Sequence, residues 1–475
     1  MHSTFALLLR TVTPLLLTLA PLSAQAAPEL PRRAALGVAL PPPEQGQSAG
    51  AVIGNIHPGL TAEKLGLRAG DIILSVGGKP VPNRETVLTY AATLKAGDAV
   101  DVRVRREGKE ISFRGKAIGR PFERYSGAAV NYGSLAFRNG QLRDILVTPA
   151  GSAQPPVVFL IPGYGCGSIE PQSSTHPYRR VGEELIARGI AYYRVEKPFA
   201  GDSRGDLDCN SIDFATELDS FRTAYKHLVG ARGISPDRIF MLGHSLGGME
   251  APLLAAENAP RGVAVFGTVL RNWADYHRDV GSFQRFLFNG ADPALLATRS
   301  ERNRELFRRF YFGREAPAAM AAEGPETAQI LREAFSWDGR DRTIGGRSYK
   351  FNQDLAYLPL MAAWRDAKTN VLALYGESDI VAINDEDHRL IADIAEFYRP
   401  GTGRFVEVAG TDHGMELVGN RAEVREKTRA AAGQVPTGPF NPAVADALAA
   451  WIKDVMARPP VRTLKFPPRE PLPED

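Results

Sequence analysis

A serine held between two glycines, Gly243-His244-Ser245-Leu246-Gly247, constrains this chain more than any other stretch. The apolar run Arg238-Ile239-Phe240-Met241-Leu242 before it reads as a strand, and Met249–Glu257 after it reads as a helix. A strand that turns directly into a helix through a serine holds that serine in a strained turn, with its Oγ pushed out of the sheet. Only glycine at the flanks lets neighbouring backbone approach so closely. The fold must therefore present this turn at the end of a buried strand.

Two further residues follow in a telling order. Asp379 lies just beyond the predicted strand Val371–Tyr375, and His413 lies in a Gly-flanked loop beyond the predicted strand Phe405–Val408. Ser, then Asp, then His is the order of one hydrolase superfamily and not of the chymotrypsin or subtilisin types. On these motifs the chain from about Val130 to Ala457 resembles serine hydrolases of the α/β-hydrolase superfamily, in the branch of esterases and serine aminopeptidases. The resemblance implies Ser245 as nucleophile, His413 as general base and then acid, and Asp379 as the group that orients the imidazole. Rival carboxylates are Asp385, Asp387 and Glu377, and rival histidines are His244 and His388. His244 should point into the fold, and His388 lies on a predicted helix. No cofactor and no metal are implied.

An acyl-transfer site also needs two preorganised N–H donors for the oxyanion. Fold logic gives Leu246, directly after the serine, as the first. The second is expected from Pro162-Gly163-Tyr164-Gly165-Cys166-Gly167, with Tyr164 in the donor position. Gly201-Asp202-Ser203 also resembles a piece of the family pattern, and is read as structural.

The chain's 475 residues exceed what one ordinary domain needs, so two domains with short tails are expected. Residues 32–119 form the first. The string from Pro58 to Val81, with Gly66-Leu67-Arg68-Ala69-Gly70-Asp71 at its centre, closely resembles the PDZ family in its bacterial arrangement. Leu36-Gly37-Val38 matches that family's carboxylate-binding loop, whose N–H groups capture a peptide C-terminus. The alternative is a PDZ domain that serves only as a rigid spacer. Residues 121–132 read as a linker. The expected second domain, 130–457, opens with strands Leu135–Arg138 and Arg143–Thr148 around an Asn139-Gly140 turn. Strand and helix patterns then alternate, which argues for a mostly parallel sheet covered on both faces.

Between about residues 270 and 368 that rhythm breaks into helical patterns rich in Arg and aromatics. An insertion there is expected to form a cap over the site. Its aromatics either line a substrate pocket or pack the cap helices together. Arg271, Arg278, Arg285, Arg299 and Arg302 make part of it basic, as solvated surface or as a match to an acidic substrate. The Pro-rich tail, 458–475, has no periodicity.

At the N-terminus, Arg10 precedes the apolar stretch Val12–Leu22, and Ala24-Gln25-Ala26 closes it in A-x-A form. This reads as a secretory signal peptide over residues 1–26, too short to span a bilayer, so an exported protein, periplasmic or secreted, is expected. In that setting the even count of cysteines, Cys166 and Cys209, suggests a disulfide; two separate thiols are the alternative. A formal charge of +3, spread along the chain, gives no footprint for nucleic acid. The expected activity is cleavage of a carboxylic ester or amide through an acyl-enzyme. A peptidase whose PDZ domain tethers peptides, and a PDZ adaptor on an inactive hydrolase scaffold, are the alternatives.

Overall fold

The computed structural model describes residues 30–41, 50–170, 173–431 and 433–466. The expected signal peptide and the end of the tail lie outside them.

The large domain is built on an eight-stranded sheet. Its strands are β1 (Ala128–Phe137), β2 (Gly140–Pro149), β3 (Val157–Ile161), β4 (Ala191–Val195), β5 (Ile239–His244), β6 (Gly262–Phe266), β7 (Asn370–Gly376) and β8 (Gly403–Val408). They lie in the order β1-β2-β4-β3-β5-β6-β7-β8. β2 pairs antiparallel with β1 and β4, and every other pairing is parallel. Strands β3 to β7 are buried almost throughout, as a sheet covered on both faces requires. Alternation divides each strand between two cores: Val157, Phe159 and Ile161 face one, Val158 and Leu160 the other.

Helices α1 (Pro177–Ala187), α2 (Phe214–Gly230) and α3 (Gly247–Glu257) follow β3, β4 and β5. α1 begins with Pro177 at its first turn, where the missing N–H costs nothing, and α2 is capped by Asp213, whose side chain accepts from Thr216 N–H. The chain leaves the sheet after β6 and returns at β7. The excursion holds a π-helical turn, Tyr276–Gln284, then α4 (Pro293–Tyr311) and α5 (Pro325–Phe335). It also holds a small hairpin, Arg342–Thr343 against Arg347–Ser348, which the helical expectation for this region missed. The covering is completed by α6 (Glu386–Tyr398) and α7 (Pro442–Met456).

The first hairpin differs from its expected form. Phe137 pairs with Gly140, so the turn is Arg138-Asn139 rather than Asn139-Gly140, and both strands are ten residues long. Gly140 instead lets another segment pass close by. A Cβ there would sit 2.1 Å from the carbonyl oxygen of Arg204, whose backbone crosses β2 at this point.

The N-terminal domain is a small β-rich unit. Ala51–Val52, Ile72–Val76, Ala99–Arg106 and Lys109–Lys116 make its main sheet. Asn55–Ile56 leaves this sheet and pairs with Val38–Ala39 instead. The helix Arg84–Thr93, capped by Asn83, went unseen in the sequence; Val87 is its one buried residue, with Tyr90 and Ala91 packed against the same core.

The two domains meet along residues 30–33. Arg32 pairs with Glu170 at 2.8 Å and also with Asp202, and Arg33 N–H donates to Asp202 at 2.7 Å. Arg33 stacks over Phe199 at 4.3 Å. Gly201-Asp202-Ser203 is thus part of the domain junction. Removing one member of this buried set would strand a charge in the interface.

Candidate active site

Ser245 ends up at the tip of the turn after β5 with φ of +53°, a left-handed backbone that a non-glycine residue rarely adopts. Its N–H donates to Phe266 O at 2.9 Å, which locks the turn to β6. The flanking glycines are sterically obligatory. A Cβ on Gly243 would lie 2.4 Å from Gly247 O, and one on Gly247 would lie 2.0 Å from Ile161 O.

Asp379 is fully buried in the loop after β7, and His413 is half-buried in the loop after β8. His413 Nδ1 lies 2.8 Å from Asp379 Oδ2, while Asp379 Oδ1 accepts the N–H groups of Val381 and Ala382 at 2.7 and 2.8 Å. Burial opposes the charge on Asp379. The facing imidazole and these N–H donors outweigh it and hold the carboxyl below its usual range. For His413, burial is likewise outweighed by the Asp379 carboxylate, and its pKa is raised. Gly267, with φ of +60°, makes room for the pair: a Cβ there would lie 2.9 Å from both Asp379 Oδ2 and His413 Nδ1.

Ser245 and His413 line one cavity of about 350 Å³, roofed by the excursion between β6 and β7. Among the described residues Ser245 Oγ makes no hydrogen bond to His413, though both line this cavity. The rival groups are engaged elsewhere. His244 sits between Tyr178 OH at 2.7 Å and His413 O at 2.9 Å, and exclusion from water pushes its pKa down to about 3. His388 accepts from Thr268 N–H at 3.0 Å. Asp387 accepts from Arg271, Asp385 pairs with Arg389, and Glu377 accepts from Gly410 N–H.

The loop after β3 meets the serine closely enough that a Cβ on Gly163 would be 3.2 Å from Ser245 Cβ. Gly163 N–H is already spent on Tyr178 OH at 2.9 Å. Among the described residues, neither Tyr164 N–H nor Leu246 N–H donates a hydrogen bond. These are the two groups expected to receive an oxyanion. Cys166 in the same loop is joined to Cys209 by a disulfide.

Behind this loop lies a buried charge cluster that no sequence spacing announced. Lys197 Nζ donates to Gly163 O at 2.7 Å and to Glu217 Oε1 at 3.0 Å. Arg347, from the hairpin of the excursion, donates to Tyr164 O at 2.9 Å and to Glu217 Oε2 at 2.7 Å. All three side chains are at most 1% exposed. In a trans peptide the carbonyl and the next N–H point opposite ways. Lys197 on Gly163 O therefore fixes the plane that carries Tyr164 N–H, and its charge polarises that amide. The residues come from positions 197, 217 and 347, so only the fold unites them.

The aromatics of the excursion divide in two. Phe307 and Phe310 both pack on Phe335, with centroids 4.7 and 4.6 Å away, while Trp273, Tyr276 and Phe286 line the cavity.

Residues 157–426, more than half of the chain, match the model of the alpha/beta hydrolase family. The chain belongs to that family. Residues 34–116 match the PDZ domain model. Curated relatives align over the PDZ stretch alone. One is the periplasmic serine endoprotease DegP of Salmonella typhimurium, 33% identical over 63 residues, 13% of this chain and 13% of that protein. DegP of Escherichia coli K12 is 30% identical over 63 residues, with the same coverage. The chain thus spans less than a fifth of the length of the curated relatives it matches. Solved structures similar to the large domain include Est1E of Butyrivibrio proteoclasticus with bound ferulic acid, at TM-score 0.44 and 15% identity, covering 68% of this chain and 99% of that one. The acylaminoacyl peptidase of Pyrococcus horikoshii aligns at TM-score 0.40 and 10% identity, covering 74% and 49%.

Proposed function

We propose that this alpha/beta hydrolase cleaves carboxylic esters through an acyl-enzyme formed on Ser245. The observation that carries the reading is the placement of Ser245, on a strained turn, in one cavity with His413, whose far nitrogen is held by Asp379 at 2.8 Å. His413 takes the Oγ proton as Ser245 attacks the scissile carbonyl. Tyr164 and Leu246 N–H groups receive the oxyanion. His413⁺ then protonates the leaving alcohol, and water repeats the sequence to release the acid. Asp379 keeps the imidazole in the tautomer that presents a bare Nε2 to the serine.

The same machinery cleaves amides, and one feature favours a peptidase as second reading. In the PDZ domain, Leu36 N–H and Gly37 N–H donate to no described residue, and Gly37 takes φ of +79°. Leu36-Gly37-Val38 thus offers donors unpaired among the described residues to a peptide carboxylate, which in this reading tethers a peptide while the large domain works on it. Against it, the cavity is a roofed pocket of about 350 Å³, sized for a small ester. Export to the periplasm or medium is supported by the N-terminal leader pattern, the disulfide and the periplasmic relatives of the PDZ stretch. No helix among the described residues is long and apolar enough to cross a membrane.

The test is a chain-length series of p-nitrophenyl acyl esters run beside aminoacyl and peptidyl p-nitroanilides, on the wild type and Ser245→Ala. Ester turnover that vanishes in Ser245→Ala, with silent anilides, is expected. Dominant anilide turnover establishes the peptidase reading instead.

A further inference from the structure

We infer that the Ser245 cavity selects esters that carry an additional carboxylate, gripped by Arg285 and Arg299; this rests on the hydrolase reading above. The roof of the cavity is rich in arginine, and most of it is neutralised on the spot. Arg271 meets Asp387 at 2.7 Å, Arg278 meets Asp279 at 2.8 Å and Arg302 meets Glu333 at 3.6 Å. Arg304, Arg308, Arg309 and Arg314 each pair with a carboxylate as well. From Arg271 to Arg314, only Arg285 and Arg299 have no carboxylate partner among the described residues, and these two line the cavity of Ser245.

Later in the excursion Arg332 and Arg340 also have no carboxylate partner among the described residues, but neither lines this cavity, whereas Arg285 and Arg299 share it with Ser245. Arg299 lies with its guanidinium over the Phe286 ring at 4.9 Å, which orients the group without satisfying its donors, and its Nε is buried with no partner. The exposed Arg285 side chain makes no hydrogen bond to a described residue, and its charge acts on both His413 and Tyr276. The remaining charges of the cavity do not compensate. Glu333 is met by Arg302, and Asp379 is engaged by His413. His277, bonded to Tyr311 OH at 2.8 Å, is held neutral by burial, with its pKa down to about 4. What remains is a pocket with an apolar body, from Trp273, Tyr276, Phe286 and Met249, and two free forked donors. Its complement is an ester with an apolar middle and an anionic end, since guanidinium and carboxylate match in charge and in bidentate geometry.

The carboxylate could sit on the acyl or the alcohol half, so two series are needed. One compares p-nitrophenyl half-esters of aliphatic dicarboxylic acids with neutral acyl esters of equal length. The other compares butyrates of hydroxybenzoic acids with butyrates of the matching hydroxybenzamides. In at least one series we expect the charged ester to be preferred by about 10- to 100-fold in kcat/KM at low ionic strength. The preference should shrink in 0.5 M salt, where the Debye length falls to a few ångströms. The charged-to-neutral ratio should collapse toward one in Arg285→Gln with Arg299→Gln, and persist in Arg304→Gln, which lies on the ion-paired outer face. Equal turnover of charged and neutral esters by the wild type, or a preference that survives the double substitution, overturns the inference. Failure of Ser245 to react with a fluorophosphonate would instead overturn the hydrolase reading beneath it.

Discussion

The two walls of the cavity are held by opposite means. On the sheet side, glycines bring backbone against backbone around Ser245, and every charge of the Lys197–Glu217–Arg347 cluster is buried and paired. On the roof side, aromatic rings and two unpaired guanidiniums face the same space, and Phe286 is 38% exposed. The first wall is where reacting atoms must be placed to a fraction of an ångström; the second meets the variable part of a ligand. In the proposed reading, buried charge here serves backbone geometry, while unpaired charge serves recognition.

That contrast can be broken most severely through the His413–Asp379 pair. Asp379→Asn keeps the shape but removes the charge and favours the wrong imidazole tautomer, so kcat should fall by about 10⁴. The pH profile carries a sign as well. With His413 as the proposed base, wild-type activity should rise with pH through the raised pKa of that residue. Residual activity of Asp379→Asn should rise at lower pH, because the facing anion is gone. A profile whose acid limb does not move would detach Asp379 from His413.

A smaller effect is expected behind the oxyanion loop. Glu217→Gln leaves Lys197 and Arg347 without their shared anion, loosening the planes that carry Gly163 O and Tyr164 O. We expect kcat to fall about 10- to 100-fold with KM changed less than about threefold, since only the transition state uses the loop's N–H. Affinity for a boronic acid, which mimics the tetrahedral state, should fall in parallel, while affinity for the product acid stays. Equal losses in kcat and in product binding would reduce the cluster to a packing role.

How much of this was legible in the sequence follows from what each feature depends on. The turn at Ser245, and the placement of Asp379 and His413 just past β7 and β8, rest on local patterns that survive in one dimension. Strand β7, expected over Val371–Tyr375, runs only one residue further at each end, Asn370–Gly376, because its apolar run is unbroken. The Lys197–Glu217–Arg347 cluster was invisible, since each member alone reads as an ordinary surface charge. Gly267 was missed because its Cβ clash involves residues more than a hundred positions away. The roof was recognised as an insertion, but which of its arginines are neutralised depends on helix packing that no periodicity encodes.

The smallest expected effect is on stability, and it also contrasts with the paired cluster. Glu250, in the first turn of α3, is fully buried with both carboxyl oxygens unpartnered, and burial next to Glu217 raises its pKa well above the ordinary value. Its unfolded form ionises near pH 4.3 while the folded form keeps its proton, so it costs stability as pH rises above about that value. Glu250→Gln should melt higher than wild type at pH 8, with the gap closing near pH 4. The same gap at both pH values would mean that the carboxyl is not held neutral.

The measurement that goes most directly to the centre of the account is fluorophosphonate labelling followed by mass mapping of the modified residue, at pH 5 and pH 8. The account predicts one adduct, on Ser245, forming faster at pH 8 as His413 loses its proton, and absent in Ser245→Ala. An unlabelled Ser245, or an adduct that forms equally in Ser245→Ala, would contradict it.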